Sequence, residues 1–318
     1  MKTTSCDVLL LRQRHGGLCV VRPTEWWSSA YRRAHASAKR ALPAPLWAAL
    51  RRSRVRLQAR SNRAAVTAYL SGLASYVPRQ VRHVYGPHTL DVWIADPTAE
   101  RWYDCDWSEP CEISLLRSSK LKPGAVVINA GAHQCVLAVL LAREVGPMGL
   151  VVAVEANAHN VETARQNREL NRCEQLLIEH AAVSDRIGQI LFGQLGNGSV
   201  VDGTEGLGCE VVRAITIDAL AVKYGPPDVV YCDVEGHEGR VLEGAKETLA
   251  GQADWCLEIH GPEMLAKYGD SVESVLSCFP QARYRRLVAA DSPRDFIQLE
   301  LGWPGLSGRF FFLALHRH

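Results

Sequence analysis

The 318-residue sequence has no uninterrupted apolar run near the ~20 residues that a helix needs to cross a bilayer, which excludes a stable membrane span. Val8-Leu9-Leu10-Leu11 is too short for the core of a signal peptide, and Arg12 and Arg14 follow it at once. The expected location is the cytoplasm. Ten cysteines stand in the chain without a single C-x-x-C, and Cys105 and Cys111 have no second Cys or His pair beside them, so zinc spacing is absent. Cys232 and Cys256 fall within apolar, strand-like runs and are expected as small core residues in a reducing compartment, with no metal. Internal repeats are absent.

Net charge is also nearly absent, at +2, but it is unevenly spread. Residues 1 to 63 hold fourteen Lys or Arg against Asp7 and Glu25, so the remainder of the chain is acidic. Ala30, Ala34, Ala38 and Ala41 recur at helical spacing until Pro43 and Pro45 break the pattern. Leu46, Leu50 and Leu57, with Arg51, Arg52, Arg54 and Arg56, predict a second helix. Residues 1–79 are therefore expected to be a basic helical extension and residues 80–318 a domain. The arm is either a solvated extension or a docking segment for an anionic partner: lipid head groups, nucleic acid or an acidic carrier. Trp26, Trp27 and Trp47 suit a membrane interface and ordinary packing equally.

The chemistry begins at Val126. Val126, Val127 and Ile128 form a β-branched run, and from His133 the pattern changes to Val136, Leu137, Leu140 and Leu141 at helical spacing, with Gly131 in the turn between. Gly131 lets backbone approach a ligand without a Cβ, although strand-Gly-helix turns are also common without one. The second strand, Val151 to Val154, ends in Glu155, a place where a carboxylate can accept both hydroxyls of an adenosine ribose. A dinucleotide fingerprint is lacking: G-x-G-x-x-G needs glycines where this chain reads A-G-A-H-Q-C. A ligand without phosphate fits such a turn, and S-adenosylmethionine is one. The missing glycines, and the lack of a recognisable Tyr-Lys or His pair, argue against a nicotinamide-dependent oxidoreductase.

A second constellation lies downstream. Asp228 to Cys232 reads as a short strand, Asp233-Val234-Glu235-Gly236-His237-Glu238 follows, and Val241, Leu242, Ala245 and Leu249 mark a helix. In an open α/β sheet ligands bind beyond the carboxyl ends of the strands, so Asp233 is expected in the crevice of Gly131 and Glu155. The strand DWCLEIH delivers His260 to the same side. Asp233 and His260 are the candidate general bases, and Glu235 is expected to hold acceptor hydroxyls or orient the loop. Asp233, Glu235 and His260 are also acceptable donors for a divalent metal, a reading set below plain acid–base chemistry.

The ordered set LKPGAVVINAGAHQ, GPMGLVVAVEAN, NRELN, AAVS, TIDAL and PDVVYCDVEGHEGRVLEGA, spanning roughly Thr89 to Glu258, resembles the FkbM family of S-adenosylmethionine-dependent methyltransferases. The resemblance implies a class I methyltransferase Rossmann-like α/β fold, with a mostly parallel sheet and an antiparallel C-terminal strand. It implies methylation of a hydroxyl on a sugar, glycan or secondary metabolite. The cofactor-binding set it implies is Asn129, Ala130, Gly131, His133, Glu155, Ala156, Ala182 and Val183, the last two at the adenine. Glu112 is read either as an orienter of the cofactor's methionine end or, more simply, as a solvated first-turn acid. Asn129 stands where the family usually has Asp, and Cys135 where it usually has a second turn glycine. Asn129 keeps an acceptor but loses a negative charge. A non-catalytic binding module with a decayed cofactor site and a basic arm is the competing reading.

Elsewhere a helix is expected over Asn62 to Ala74, a strand from His88 to Ala95, and a third sheet strand at Leu176 to Glu179. Asn157 is the expected N-cap of the helix after Glu155. Gly193 to Gly208 holds six glycines between strands near Ile190 and Val211, a lid over substrate or a plain hairpin excursion. Arg283 to Ala289, Phe296 to Leu301 and Arg309 to His316 read as closing strands.

Overall fold

The computed structural model describes residues 66–193, 198–201, 208–291, 295–299 and 308–317, together with 64 and 305. Residues 1–63 of the basic arm, with its two expected helices and its three tryptophans, lie outside the described residues, as do 194–197 and 202–207 of the Gly-rich segment. Residues 66–75 are helical, within one residue of the expected end.

Two strands, β1 (Arg79–Tyr85) and β2 (His88–Ile94), form an antiparallel hairpin. The central sheet takes β3 (Val126–Ala130), β4 (Leu150–Glu155) and β5 (Leu176–His180). A smaller four-stranded sheet follows from β6 (Ala182–Val183), β7 (Gly188–Gly193), β8 (Ser199–Val200) and β9 (Cys209–Ile215). The chain then returns to the central sheet with β10 (Val229–Cys232), β11 (Asp254–Ile259), β12 (Tyr284–Ala290), β13 (Ile297–Gln298) and β14 (Phe310–His316). The order across that sheet is β13-β12-β14-β11-β10-β3-β4-β5. The five strands from β5 to β11 run parallel, and β14 inserts antiparallel between β11 and β12. This is the class I methyltransferase fold, with the expected antiparallel closing strand.

Why the strands read as unbroken apolar runs is visible in their two faces. Val127, Val151, Ala153, Val229 and Tyr231 enter one core with the helix Val136–Val145, while Ile128, Val152, Val154, Val230 and Trp255 enter the other. A parallel sheet covered on both faces needs apolar side chains at every position, so alternation disappears. Winding runs from β3 outward to β4 and β5, then resumes on the other side with β10 and β11. The reversal between β3 and β10 is the topological switch point, where such sheets bind ligands.

β1 and the helix Pro97–Tyr103 have no counterpart in the expectations drawn from sequence. β1 exposes Gln80, Arg82 and Val84, half-buries Arg79 and His83, and shows no clean alternation of apolar residues. The helix did leave a signal, because Asp96 caps it by accepting from Thr98 N and Ala99 N and Pro97 stands in its first turn. The helix Ala158–Leu170 starts at Asn157, whose side chain accepts from His159 N.

The NRELN segment ties the hairpin to the domain. Asn171 Oδ1 accepts from Asp91 N at 3.2 Å while its Nδ2 donates to Asp91 O at 2.7 Å, so one amide replaces a missing strand neighbour along the edge of β2. Asn167 Oδ1 accepts from Trp93 N at 2.6 Å, and its Nδ2 donates to Gln134 O at 2.8 Å. Leu90, Val92 and Ile94 are thereby held against the core. Asn171→Ala removes both partners of Asp91 and is expected to cost about 2 kcal/mol, read as a lower urea midpoint with unchanged slope. A loss under about 0.5 kcal/mol would show that the strap carries no weight.

Candidate active site

The turn after β3 is closed by backbone. Gly131 N and Ala132 N both donate to Val154 O, at 2.9 and 3.0 Å, while Asp233 N donates to Ala130 O at 2.9 Å. The ends of β3, β4 and β10 are thus sewn together. Gly131 has φ +77°, and a Cβ there would lie 1.7 Å from Asp233 O. Glycine is required twice over, by conformation and by contact. His133 and Cys135 also take left-handed angles, φ 49° and 62°, and Cys135 caps the helix Val136–Val145 without a side-chain hydrogen bond.

A slot opens above this turn, walled by Gly131, His133, Glu155, Ala156, Ala182 and Val183, with Phe192, Gly198 and Val200 opposite. Six of the eight residues expected at the cofactor therefore line it. Asn129 faces a wider adjoining cleft instead, and Ala130 is wholly buried, joining the strand ends through its carbonyl. β7 and β8 pair as an antiparallel hairpin whose Phe192 and Val200 form the slot's outer wall, so the described part of the Gly-rich segment is a hairpin that also covers the site.

Glu155 Oε2 accepts from His133 N at 2.7 Å and Oε1 from Asn157 N at 2.8 Å. Burial nevertheless raises its pKa to about 7. Neighbouring groups are settled in one state around neutrality. Burial lowers His133 to about 4, and Tyr103 Oη lies 2.8 Å from its Nδ1. Burial opposes the charge on Asp96, but bonds from His159 and from Ala99 N outweigh it and hold that carboxyl at about 2.

On the far side of Gly131 four carboxylates surround one imidazole. His260 Nδ1 lies 3.0 Å from Glu238 Oε1, and its Nε2 lies 3.2 Å from Glu235 Oε2, 3.6 Å from Asp233 Oδ1 and 3.9 Å from Glu258 Oε1. Burial alone would lower His260, but the bond from Glu238 and the charges of Asp233 and Glu235 push it up to about 9. Burial, and then the charge of Glu258, push Asp233 well above the carboxylate range. Arg309 pairs with Glu258 at 2.8 Å and with Asp291 at 2.6 Å. Asp233, Glu235 and His260 thus meet as expected from sequence, and Asp233 lines both the slot and the cleft. His237 of the same motif turns elsewhere, with Nε2 at 3.0 Å from Ser184 Oγ and its ring edge-on to Tyr268.

Some functional residues were not read from sequence. Trp102, Tyr103 and Trp107 wall the cleft, and Glu238, Glu258 and Arg309 complete the charge cluster. Glu258 did leave a trace, as an acid within the otherwise apolar strand DWCLEIH. Glu112 corrects the simpler expectation: it is 1% exposed, receives the Tyr231 hydroxyl at 3.3 Å and faces the cleft beside Asn129. The carboxyl group missing at Asn129 is present there.

The family model for the methyltransferase FkbM domain matches residues 129–285, from the turn through both strand-end carboxylates. This segment is an FkbM methyltransferase domain. No curated protein sequence matches the chain. Among solved structures the chain is similar to methyltransferase FkbM from Methylobacillus flagellatus KT, with 14% identity, TM-score 0.37, and coverage of 60% of this chain and 43% of that one. It is similar to a SAM-dependent O-methyltransferase from Thermotoga maritima, with 14% identity, TM-score 0.40, and coverage of 72% and 74%. A third likeness is to Aeropyrum pernix fibrillarin in complex with S-adenosyl-L-methionine, with 13% identity, TM-score 0.38, and coverage of 64% and 74%. The cofactor of the FkbM domain is S-adenosylmethionine. Its adenosine fits the slot on the observations above, a cradle that a Cβ would fill and a buried carboxylate at the wall.

If ribose hydroxyls donate to Glu155, as expected from the sequence, they favour its charged form, and binding would then expel the proton that burial retains. In the protein alone the sign is the reverse of an ordinary salt-bridged acid: between the usual value of 4.5 and about 7 the folded state holds a proton that the unfolded chain has lost, and stability falls as pH rises. Cofactor affinity is accordingly expected to rise as pH increases toward about 7, by up to about tenfold per unit, and then level off. Calorimetric titration across pH 5.5 to 8 checks this, because Asp96 and His133 do not titrate near neutrality. Glu155→Gln should flatten the profile, and an equally steep profile in that variant would assign the dependence to another group.

Proposed function

We propose that the FkbM domain transfers the methyl group to a hydroxyl oxygen of a sugar, glycan or secondary metabolite. One observation supports this above the others: Asp233 stands on the shared wall of the cofactor slot and a second, wider cleft, with His260 behind it. S-adenosylmethionine supplies an already electrophilic methyl group. What remains for the chain is to position an acceptor and accept its proton.

Glu155 would hold the ribose hydroxyls, Ala182 and Val183 the adenine, and Gly131 with Asn129 and Glu112 the amino-acid end. The acceptor enters the cleft along Trp102 and Trp107, whose flat faces suit a sugar ring or another ring system. Asp233 has the properties of the proton acceptor, because burial raises its pKa toward that of an effective base. His260 carries the opposite charge beside it, and Glu235 either orients that ring or binds a neighbouring hydroxyl. Trp102 and Tyr103 pack their rings at tilted angles against His133 beside the turn.

The test is transfer of labelled methyl from S-adenosylmethionine to a panel of saccharide and polyketide alcohols. Label recovered as an acid-stable methyl ether supports oxygen as the acceptor atom, and label on nitrogen or carbon overturns it. With an accepted substrate, Asp233→Asn is expected to lower the rate by about 10²–10⁴-fold with cofactor affinity nearly intact, a loss partly relieved at higher pH. His260→Ala should also lower the rate, without that relief. If both variants fold and transfer methyl at the wild-type rate, the chemistry lies elsewhere.

A further inference from the structure

We propose that Asp233, Glu235 and His260 form a binding site for one divalent cation of the Mn2+ or Mg2+ kind, set where the acceptor oxygen would complete its coordination. Only the last clause, the cation's role, rests on the methyl-transfer reading.

The donors are already assembled. One ligand atom from each of the three residues lies within 4.8 Å of the others. The closest pairs, 3.2 Å from His260 Nε2 to Glu235 and 3.6 Å to Asp233, approach the roughly 3 Å between adjacent ligands of an ion with ~2.1 Å bonds. The imidazole is oriented from behind by Glu238, whose Oε1 takes Nδ1 at 3.0 Å and leaves Nε2 facing the two acids. A carboxylate behind a histidine is the usual support of a metal-ligating ring. Carboxylate oxygens with a single imidazole and no thiolate favour a hard ion over copper or structural zinc.

Charge points independently to a cation. Arg309 pairs with Glu258 and Asp291, and the His260 ring stands among Asp233, Glu235 and Glu238. Glu238 is 0% exposed, and its second oxygen, Oε2, makes no hydrogen bond; nor does the buried Oδ1 of Asp233. Buried carboxylates in excess over their cations are paired with a further positive charge or coordinate one. The cluster borders the wider cleft through Asp233 and Glu258, so ligand positions opposite the protein are open to an alcohol oxygen. A hydroxyl bound there would lose its proton more readily, through the pull of the ion on its oxygen.

The experiment is calorimetric titration of MnCl2 into the full chain, with thermal melting of the same samples. Wild type and a Glu243→Gln control, altered at an exposed partner of Arg240, are expected to bind one Mn2+ per chain and to melt higher with it. Glu238→Gln should weaken binding by about 10–100-fold, and Asp233→Asn with Glu235→Gln should abolish both binding and the melting shift. Folded wild type that binds no Mn2+ at millimolar concentration overturns the proposal, as does a double variant that binds like wild type. S-adenosylmethionine titrated into the same samples separates the two readings: cofactor binding without Mn2+ binding removes the cation alone, and the converse removes the cofactor reading while the cation site stands.

Discussion

The site depends on how closely two strand ends pass one another. β3 and β10 pair in parallel register, Asn129 beside Tyr231 and Ala130 beside Cys232, and the chain beyond each must diverge within one residue. Gly131 and Asp233 are those residues. Because the Asp233 carbonyl occupies the space where a Cβ of residue 131 would stand, the turn proposed to cradle the cofactor and the carboxylate proposed to face the acceptor are parts of one contact. Their spacing is set by backbone hydrogen bonds across three strands, not by side chains that rotate freely, and this is the preorganisation that group transfer between two bound molecules needs.

Around that contact the protein divides its electrostatics. On the cofactor side Glu155 is satisfied by two amides yet retains a proton to about pH 7, and His133 is neutral, so the slot carries little fixed charge before it is filled. On the acceptor side His260 is an imidazolium among four acids, with Arg309 behind them. Glu112 places near Asn129 the carboxyl group that the strand end lacks. The altered first strand is thereby compatible with holding a cationic cofactor.

Much of this was legible in sequence where a residue type has one physical reason to be present. Gly131 between an apolar β-branched run and a helical pattern, Glu155 at a strand end, and DVEGHE after a short apolar strand locate the crevice, since local periodicity and turn chemistry act over a few residues. What stayed hidden depends on distant packing. Glu112 reads as a solvated helix-start acid until the fold sets it beneath Tyr231, and no local spacing ties Asn167 and Asn171 to the edge of β2. His260 was expected beside the carboxylates from its place at a strand end, whereas the contact of His237 with Ser184 depends on the fold.

The proposed methyl transfer requires that cofactor and acid cluster share one crevice divided by the Gly131–Asp233 contact. A crystal structure of the protein with S-adenosylhomocysteine tests it most directly. Ribose hydroxyls are expected on Glu155, adenine against Ala182 and Val183, and the sulfur directed past Gly131 toward Asp233. A well-ordered ligand whose sulfur points away from Asp233 and His260, or whose ribose lies off Glu155, would contradict it.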